Sequence, residues 1–129
     1  MDMVILAQVL NDAGLAKMEG RDRSVFIYQM PEDVRRGVLL RQPDGGDPID
    51  FYMPGYYKTG FQVVVRYDDY QLGMKLALDV SEAFTIRQPL VLSGTRLQQV
   101  LPENKPFVFP ISEGGLMEYS VHFSVVYSE

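Results

Sequence analysis

The chain of 129 residues contains no cysteine. Disulfides, zinc–thiolate centres and thiol nucleophiles are excluded together, and a reducing compartment suits such a chain. Histidine occurs once, at His122, so neither a two-histidine metal site nor an HExxH zinc motif has its ligands. Also missing are GxSxG, the Walker phosphate loop and GxGxxG. Basic residues are in deficit, 12 against 17 acidic for a net charge of −5. The Lys/Arg clusters reduce to Arg21/Arg23 and Arg35/Arg36, whereas a chain that wraps nucleic acid needs a basic footprint. This balance opposes anionic membranes too. No stretch approaches the ~20 apolar residues of a membrane span. The N-terminus opens with Asp2 rather than a basic run and does not read as a secretion signal, so a soluble protein made inside the cell is expected.

What is present is material for one core. A hydrophobic fraction of 47% in this length predicts a single domain over residues 1–129. The clearest stretch is 59–88. Phe61, Val63, Val65 and Tyr67 alternate with Gln62, Val64 and Arg66, the period-2 pattern of a half-buried strand. Asp68 is placed to cap a following helix, with Gln71 three residues on. Gly73, Leu76, Ala77, Val80, Ala83 and Phe84 then share one helical face, Arg87 closes the last turn and Pro89 stops it.

Residues 1–13 read as another helix, capped by Asp2 and ended by Gly14 in a left-handed conformation, with Leu15 folding back. Strands are expected over 24–30, 37–42, 95–101, 107–111 and 116–127, with a short edge strand over 49–53. Turn-rich stretches, 43–48, 54–60, 102–106 and 112–115, separate them. In the last strand Met117, Tyr119, Val121, Phe123, Val125 and Tyr127 fall on one side and Glu118, Ser120, His122 and Ser124 on the other, with Val126 breaking the pattern. The fold class that follows is α+β: a single-layer antiparallel or mixed sheet with two main helices packed on one face.

Candidate chemistry is sparse. Asp44, Asp47 and Asp50 flank a double glycine, but their spacing is not that of an EF-hand loop, and a solvated turn is expected. His122 lies on the polar side of its strand with no sequence-visible partner to orient it as a base. Arg66 faces away from the core side of its strand. It either runs along the sheet surface to an acid such as Asp69 or makes a salt bridge to another subunit or a ligand. Tyr52, Tyr56 and Tyr57 crowd a Pro/Gly-rich loop, as binding anchors or as a cover for the sheet edge. No catalytic, cofactor or metal residue is assigned. An RNA-binding reading of residues 59–66 fails: Thr59 replaces the basic residue of that motif and Val63 the base-stacking aromatic.

The stretch from Gly14 to Phe84 also resembles the tail terminator, or minor capsid, proteins of long-tailed bacteriophages. The likeness is carried by the helix ending in Gly14–Leu15, by Val25–Phe26–Ile27 before Pro31, and by Val38–Leu39–Leu40 before Gly45–Gly46 and Pro48. Its most distinctive part is Gly60–Phe61–Gln62–Val63–Val64–Val65–Arg66, with Asp69–Tyr70 opening a helix; beyond residue 88 no likeness is read. The resemblance implies a structural virion protein without a catalytic site. Such a protein forms a ring, typically of six, on the head-proximal end of the tail tube after assembly in the host cytoplasm. Its partners are itself, the tube protein and a head-completion protein, with no membrane and no direct nucleic-acid recognition. The expected contact residues are Arg66, Asp44, Asp47, Asp50, Tyr52, Tyr56, Tyr57, Lys58 and Glu113. The other class of function open to this sequence is a small α+β domain that binds a ligand or RNA for regulation.

Overall fold

The computed structural model describes residues 1–42, 45–110 and 115–129. Among these, the chain forms α1 (Met3–Asp12), β1 (Val25–Ile27), β2 (Gly37–Arg41), β3 (Tyr56–Tyr67), α2 (Tyr70–Phe84), β4 (Leu90–Leu92), β5 (Thr95–Pro102), β6 (Phe107–Pro110) and β7 (Met117–Ser128). The strands join one sheet in the order β1-β2-β3-β7-β5-β4, with β6 also paired to β7. The sheet is mixed because β1 runs parallel to β2 while every other pair is antiparallel. The α+β class read from the sequence is the one observed.

At the centre, β3 and β7 pair without a break from Tyr56↔Ser128 to Tyr67↔Met117. Their shared period sends Phe61, Val63 and Val65 to the same face as Tyr119, Val121, Phe123, Val125 and Tyr127, and all eight are buried. Helix α1 adds Met3, Leu6, Ala7 and Leu10 to this face, and α2 adds Ala77, Val80 and Phe84, in one contiguous core. Phe61 stacks on Phe123 at 4.8 Å, and Phe84 meets both edge-on at 5.3 and 5.7 Å, an arrangement favoured by ring quadrupoles.

Both helices begin and end through local chemistry. The Asp2 carboxylate accepts from the Val4 N–H at 2.9 Å. At the other end Gly14, at φ +73°, lets Leu15 N–H reach Leu10 C=O and Gly14 N–H reach Asn11 C=O, the two bonds of a Schellman cap. In α2 the cap is Asp69, which accepts from Leu72 N–H at 2.9 Å, and not Asp68 as the sequence suggested. Asp68 is taken by the Arg36 guanidinium at 2.8 Å, which, ahead of the opposing desolvation, holds its carboxyl below the usual range. The helix ends at Phe84, so Arg87 lies beyond its last turn.

Gly73 has a packing reason. A Cβ there would sit 2.5 Å from the Tyr119 ring, so its absence lets α2 close on that ring. The Tyr119 hydroxyl then donates to Tyr70 C=O at 2.9 Å, and its pKa is raised mainly by burial.

Three expectations change. Residues 49–53 form no strand, and Tyr56 and Tyr57 open β3 instead of sitting in a loop. A strand unforeseen in the sequence, β4, pairs with β5 through a two-residue turn, with Ser93 at φ +48° and Gly94 at φ +82° as a type I′ hairpin requires. The first strand is shorter than expected. It ends at Ile27 because Tyr28 takes φ +68° and turns the chain onto the face opposite the helices. There Met30, Val34 and Phe26 converge over Gly37, where an added Cβ would meet Met30 Sδ at 2.8 Å.

Candidate functional site

The face of the sheet opposite the helices is covered only in part. Near β1 and β2 the connection over residues 28–36 lies on it, held by Arg66. The Arg66 Nη1 donates to Pro31 C=O at 2.9 Å and Val34 C=O at 3.1 Å, and Nη2 reaches Glu118 Oε2 at 3.3 Å across the β3–β7 pair. Both partners of this ion pair are largely buried, with side chains 12% and 17% exposed. Arg66 therefore pairs with Glu118, not with Asp69, and its donors are engaged within the subunit.

The rest of that face is open. Register places Arg41, Gln62 and His122 in one row, Gly60 and Ser124 in the next, then Lys58 and Val126. His122 is exposed, as its polar-side position predicted. Beside it the ladder is repaired by a side chain. Between β5 and β6, Asn104 accepts from His122 N–H at 2.8 Å and donates to Ser120 C=O at 3.1 Å, so its amide substitutes for the missing backbone pairing. Past it, Phe107 and Phe109 lie 6.0 Å apart, opposite Ser120 and Glu118 and so on this same face.

At the other end of the open face stands the segment leading into β3. Ile49 is 70% exposed, Phe51 90% and Tyr52 96%, with Met53 and Tyr56 also exposed. Exposed apolar groups of this size in one short segment lie outside the core and make the segment a candidate contact surface. The segment is nonetheless held in shape. Asp50 Oδ1 accepts from Tyr52 N–H at 2.9 Å, Asp50 C=O from Met53 N–H at 3.3 Å, and Met53 C=O from Tyr56 N–H at 3.1 Å. Gly55 C=O accepts from Glu129 N–H at 3.0 Å. Between this segment and the sheet runs a groove of about 620 Å³, lined by Ile49, Phe51, Met53, Tyr57, Lys58 and Val126 among others.

Asp47 fixes the foot of the segment and is not a solvated turn acid. Its carboxylate accepts from Thr59 Oγ1 at 2.9 Å, from the Met1 ammonium at 2.9 Å and from the Tyr127 hydroxyl. Burial pushes the Asp47 carboxyl up, but the hydrogen bonds from Tyr127, the Met1 ammonium and Thr59 outweigh it and hold the group below its ordinary value. Burial first, and then the bond to Asp47, drive the Tyr127 phenol far above its own. Tyr57 stacks on Tyr127 at 4.8 Å, so it is part of this foot and not a free anchor.

The sequence-derived contact residues thus divide. Asp50, Tyr52, Tyr56 and Lys58 are exposed around the groove, while Asp47, Tyr57 and Arg66 brace the fold from inside. Asp44 and Glu113 lie outside the described residues. Among the described residues no group of three acids, cysteines or histidines is placed to hold a metal ion, and no helix is long and apolar enough to cross a membrane. Sequence reasoning missed Ile49, Phe51 and Phe107. The signal for the first two was there, since apolar residues between turn-rich stretches without a sustained period have no assigned burial.

The fold places the chain in a known structural class of single-sheet α+β proteins. It is shared with a chain of the solved structure "Virion of native gene transfer agent (GTA) particle", with a TM-score of 0.71 at 22% identity over 96% of this chain and 92% of that one. No curated protein matches the chain in sequence. The sequence model of the family described as bacteriophage tail terminator protein matches residues 9–129, and the chain belongs to that family. It is a structural phage tail protein, and that class is not an enzyme class. The match runs past residue 88, where the resemblance read from the sequence stopped, to Glu129.

Proposed function

We propose that this protein ends the tail tube: subunits assemble as a ring, of six, on the head-proximal end of the tube, stop its growth and offer the surface that a head-completion protein joins. Assembly takes place in the host cytoplasm and the product stays in the virion. Family membership supports the reading, and the feature of this chain that carries it is the pre-shaped apolar segment around Phe51 and Tyr52. Such a segment gives a small domain an anchor for protein contact without the cost of ordering it on binding. Asp50, Tyr52, Tyr56 and Lys58 are the contact residues in this reading, and the acidic balance of the chain helps steer docking onto a complementary tube end.

Electron microscopy of particles from cells expressing the tail genes with and without this protein tests it. Over-long tubes and unjoined tails in its absence are the expected result. Tails of normal length that join heads without it would refute the reading and turn attention to binding of a small ligand or RNA.

A further inference from the structure

We propose that Asp47 is the positioning residue of the exposed segment over residues 48–54: its side chain fastens this stretch to the sheet, and that hold keeps Phe51 and Tyr52 in the shape in which they meet a partner. The inference deepens the proposed function and rests on it. Of residues 45–54, Asp47 alone is not exposed. Ile49, Phe51, Tyr52 and Met53 all lie outside the core cluster, and the groove of about 620 Å³ keeps the segment off the sheet. The bonds among Asp50, Tyr52, Met53 and Tyr56 close local turns and do not tie the segment down. At the far end one backbone bond, from Glu129 N–H to Gly55 C=O at 3.0 Å, joins it to the residue after β7. Among the described residues, every hydrogen bond from a side chain of 45–54 to the rest of the fold is made by Asp47.

The hold reaches two strands at once. Asp47 Oδ1 accepts from Thr59 Oγ1 of β3 at 2.9 Å, and Oδ2 accepts from the Tyr127 hydroxyl of β7 and from the Met1 ammonium at 2.9 Å. Tyr127 is buried and stacked on Tyr57, so it cannot follow the segment if the segment moves. The Asp47 side chain is 13% exposed, which puts these bonds largely out of water, where each is stronger. Pro48 comes next in the chain, and its fixed φ carries the direction set at Asp47 into the segment. Without the hold, residues 48–54 have few contacts to keep them in one conformation, the condition for local opening at little free energy. A partner would then have to order the loop on binding, at an entropic cost for every residue fixed.

The absence of native cysteine lets a spin label read the segment directly. Tyr52→Cys carries the label on the segment, and Gln71→Cys carries a reference label at the exposed start of α2. Asp47→Ala removes the acceptor but leaves the Tyr127 hydroxyl without it; Thr59→Val removes one donor, keeps the side-chain shape and decides the matter if Asp47→Ala does not fold. In either background the correlation time of the Tyr52→Cys label is expected to fall by at least ~3-fold, toward the nanosecond motion of a free loop, while the reference label is unchanged. The double variant should add nothing to Asp47→Ala, because both remove the same contact. Tails assembled with the Thr59→Val chain, free of labels, should broaden in length. A segment label unmoved by Thr59→Val, or a reference label that moves as much, would overturn the proposal, and so would a loosened segment with tails of normal length. Tails that are normal without the protein would refute the function reading and with it the contact role, while the spectra would still decide whether Asp47 holds the segment.

Discussion

Gly73 shows how a single residue reverses an ordinary rule. Alanine in a helix interior is normally better than glycine by about 1 kcal/mol. Here the methyl would land 2.5 Å from Tyr119, itself fixed by the core and by its bond to Tyr70. Gly73→Ala is therefore expected to destabilise the domain by about 1–3 kcal/mol net, the range for forced overpacking, in chemical denaturation. Asp47 gives a pH-dependent counterpart. Its folded pKa lies below the ordinary value of 3.8, so its stabilising effect is present above that value and is lost as pH falls through the depressed folded one. The stability gap between the natural chain and Asp47→Asn should be constant near neutrality and narrow below about pH 4, as read by thermal unfolding at stepped pH. A gap unchanged down to pH 2 would deny Asp47 this role. Neither residue's partner was visible in the sequence. Tyr119 lies 46 positions from Gly73 and Tyr127 lies 80 from Asp47, and no local pattern encodes such pairings.

Elements were legible where their period was long and unbroken. The alternation of β3 and β7 and the 3.6-residue stripe of α2 emerged as read, because each has a buried face that only one register satisfies. Short elements were not. The three residues of β4 carry too little period to stand out, and only the Ser93–Gly94 pair hinted at a hairpin. The segment over 49–53 had strand-like composition but found no neighbour to pair with, and a strand without a partner cannot satisfy its backbone.

Joints between elements depend on side chains and are testable as such. Asn104→Ala should speed amide exchange at His122 selectively, with a loss of stability near 1 kcal/mol, the worth of one hydrogen bond; uniform exchange across β7 would contradict the splice. Arg66→Glu places a second acid against Glu118 and releases the connection over 28–36. A loss of roughly 3 kcal/mol is expected, as for breaking a largely buried pair, so charge reversal acts on the fold before it acts on any partner.

At the scale of the molecule, the proposed function puts the contact surface on the sheet face that the helices leave open, away from the main core. Replacing Phe51 and Tyr52 with serine touches groups almost wholly in solvent, so the unfolding midpoint should shift by no more than about 0.5 kcal/mol equivalent. In the proposed function the same variant should lose control of tail length, measured as a broadened length distribution by electron microscopy. Normal tails from this variant would remove the segment from the contact surface. The candidate site was half legible for the same reason. Tyrosines announce themselves by type, whereas the use of a face depends on what the other face is spent on.

The uninterrupted pairing of β3 with β7 has a mechanical consequence. One end of this pair carries the exposed segment and its groove, and the other leads into α2. A pull between those ends runs parallel to both strands. It loads the covalent backbone of β3, to which both ends belong, rather than the hydrogen bonds to β7. A pull at right angles would peel them apart one after another. A subunit gripped at those two ends is thus stiff along β3, and in the proposed function a tail carrying tension through such subunits would stretch at its contacts before it stretched within them.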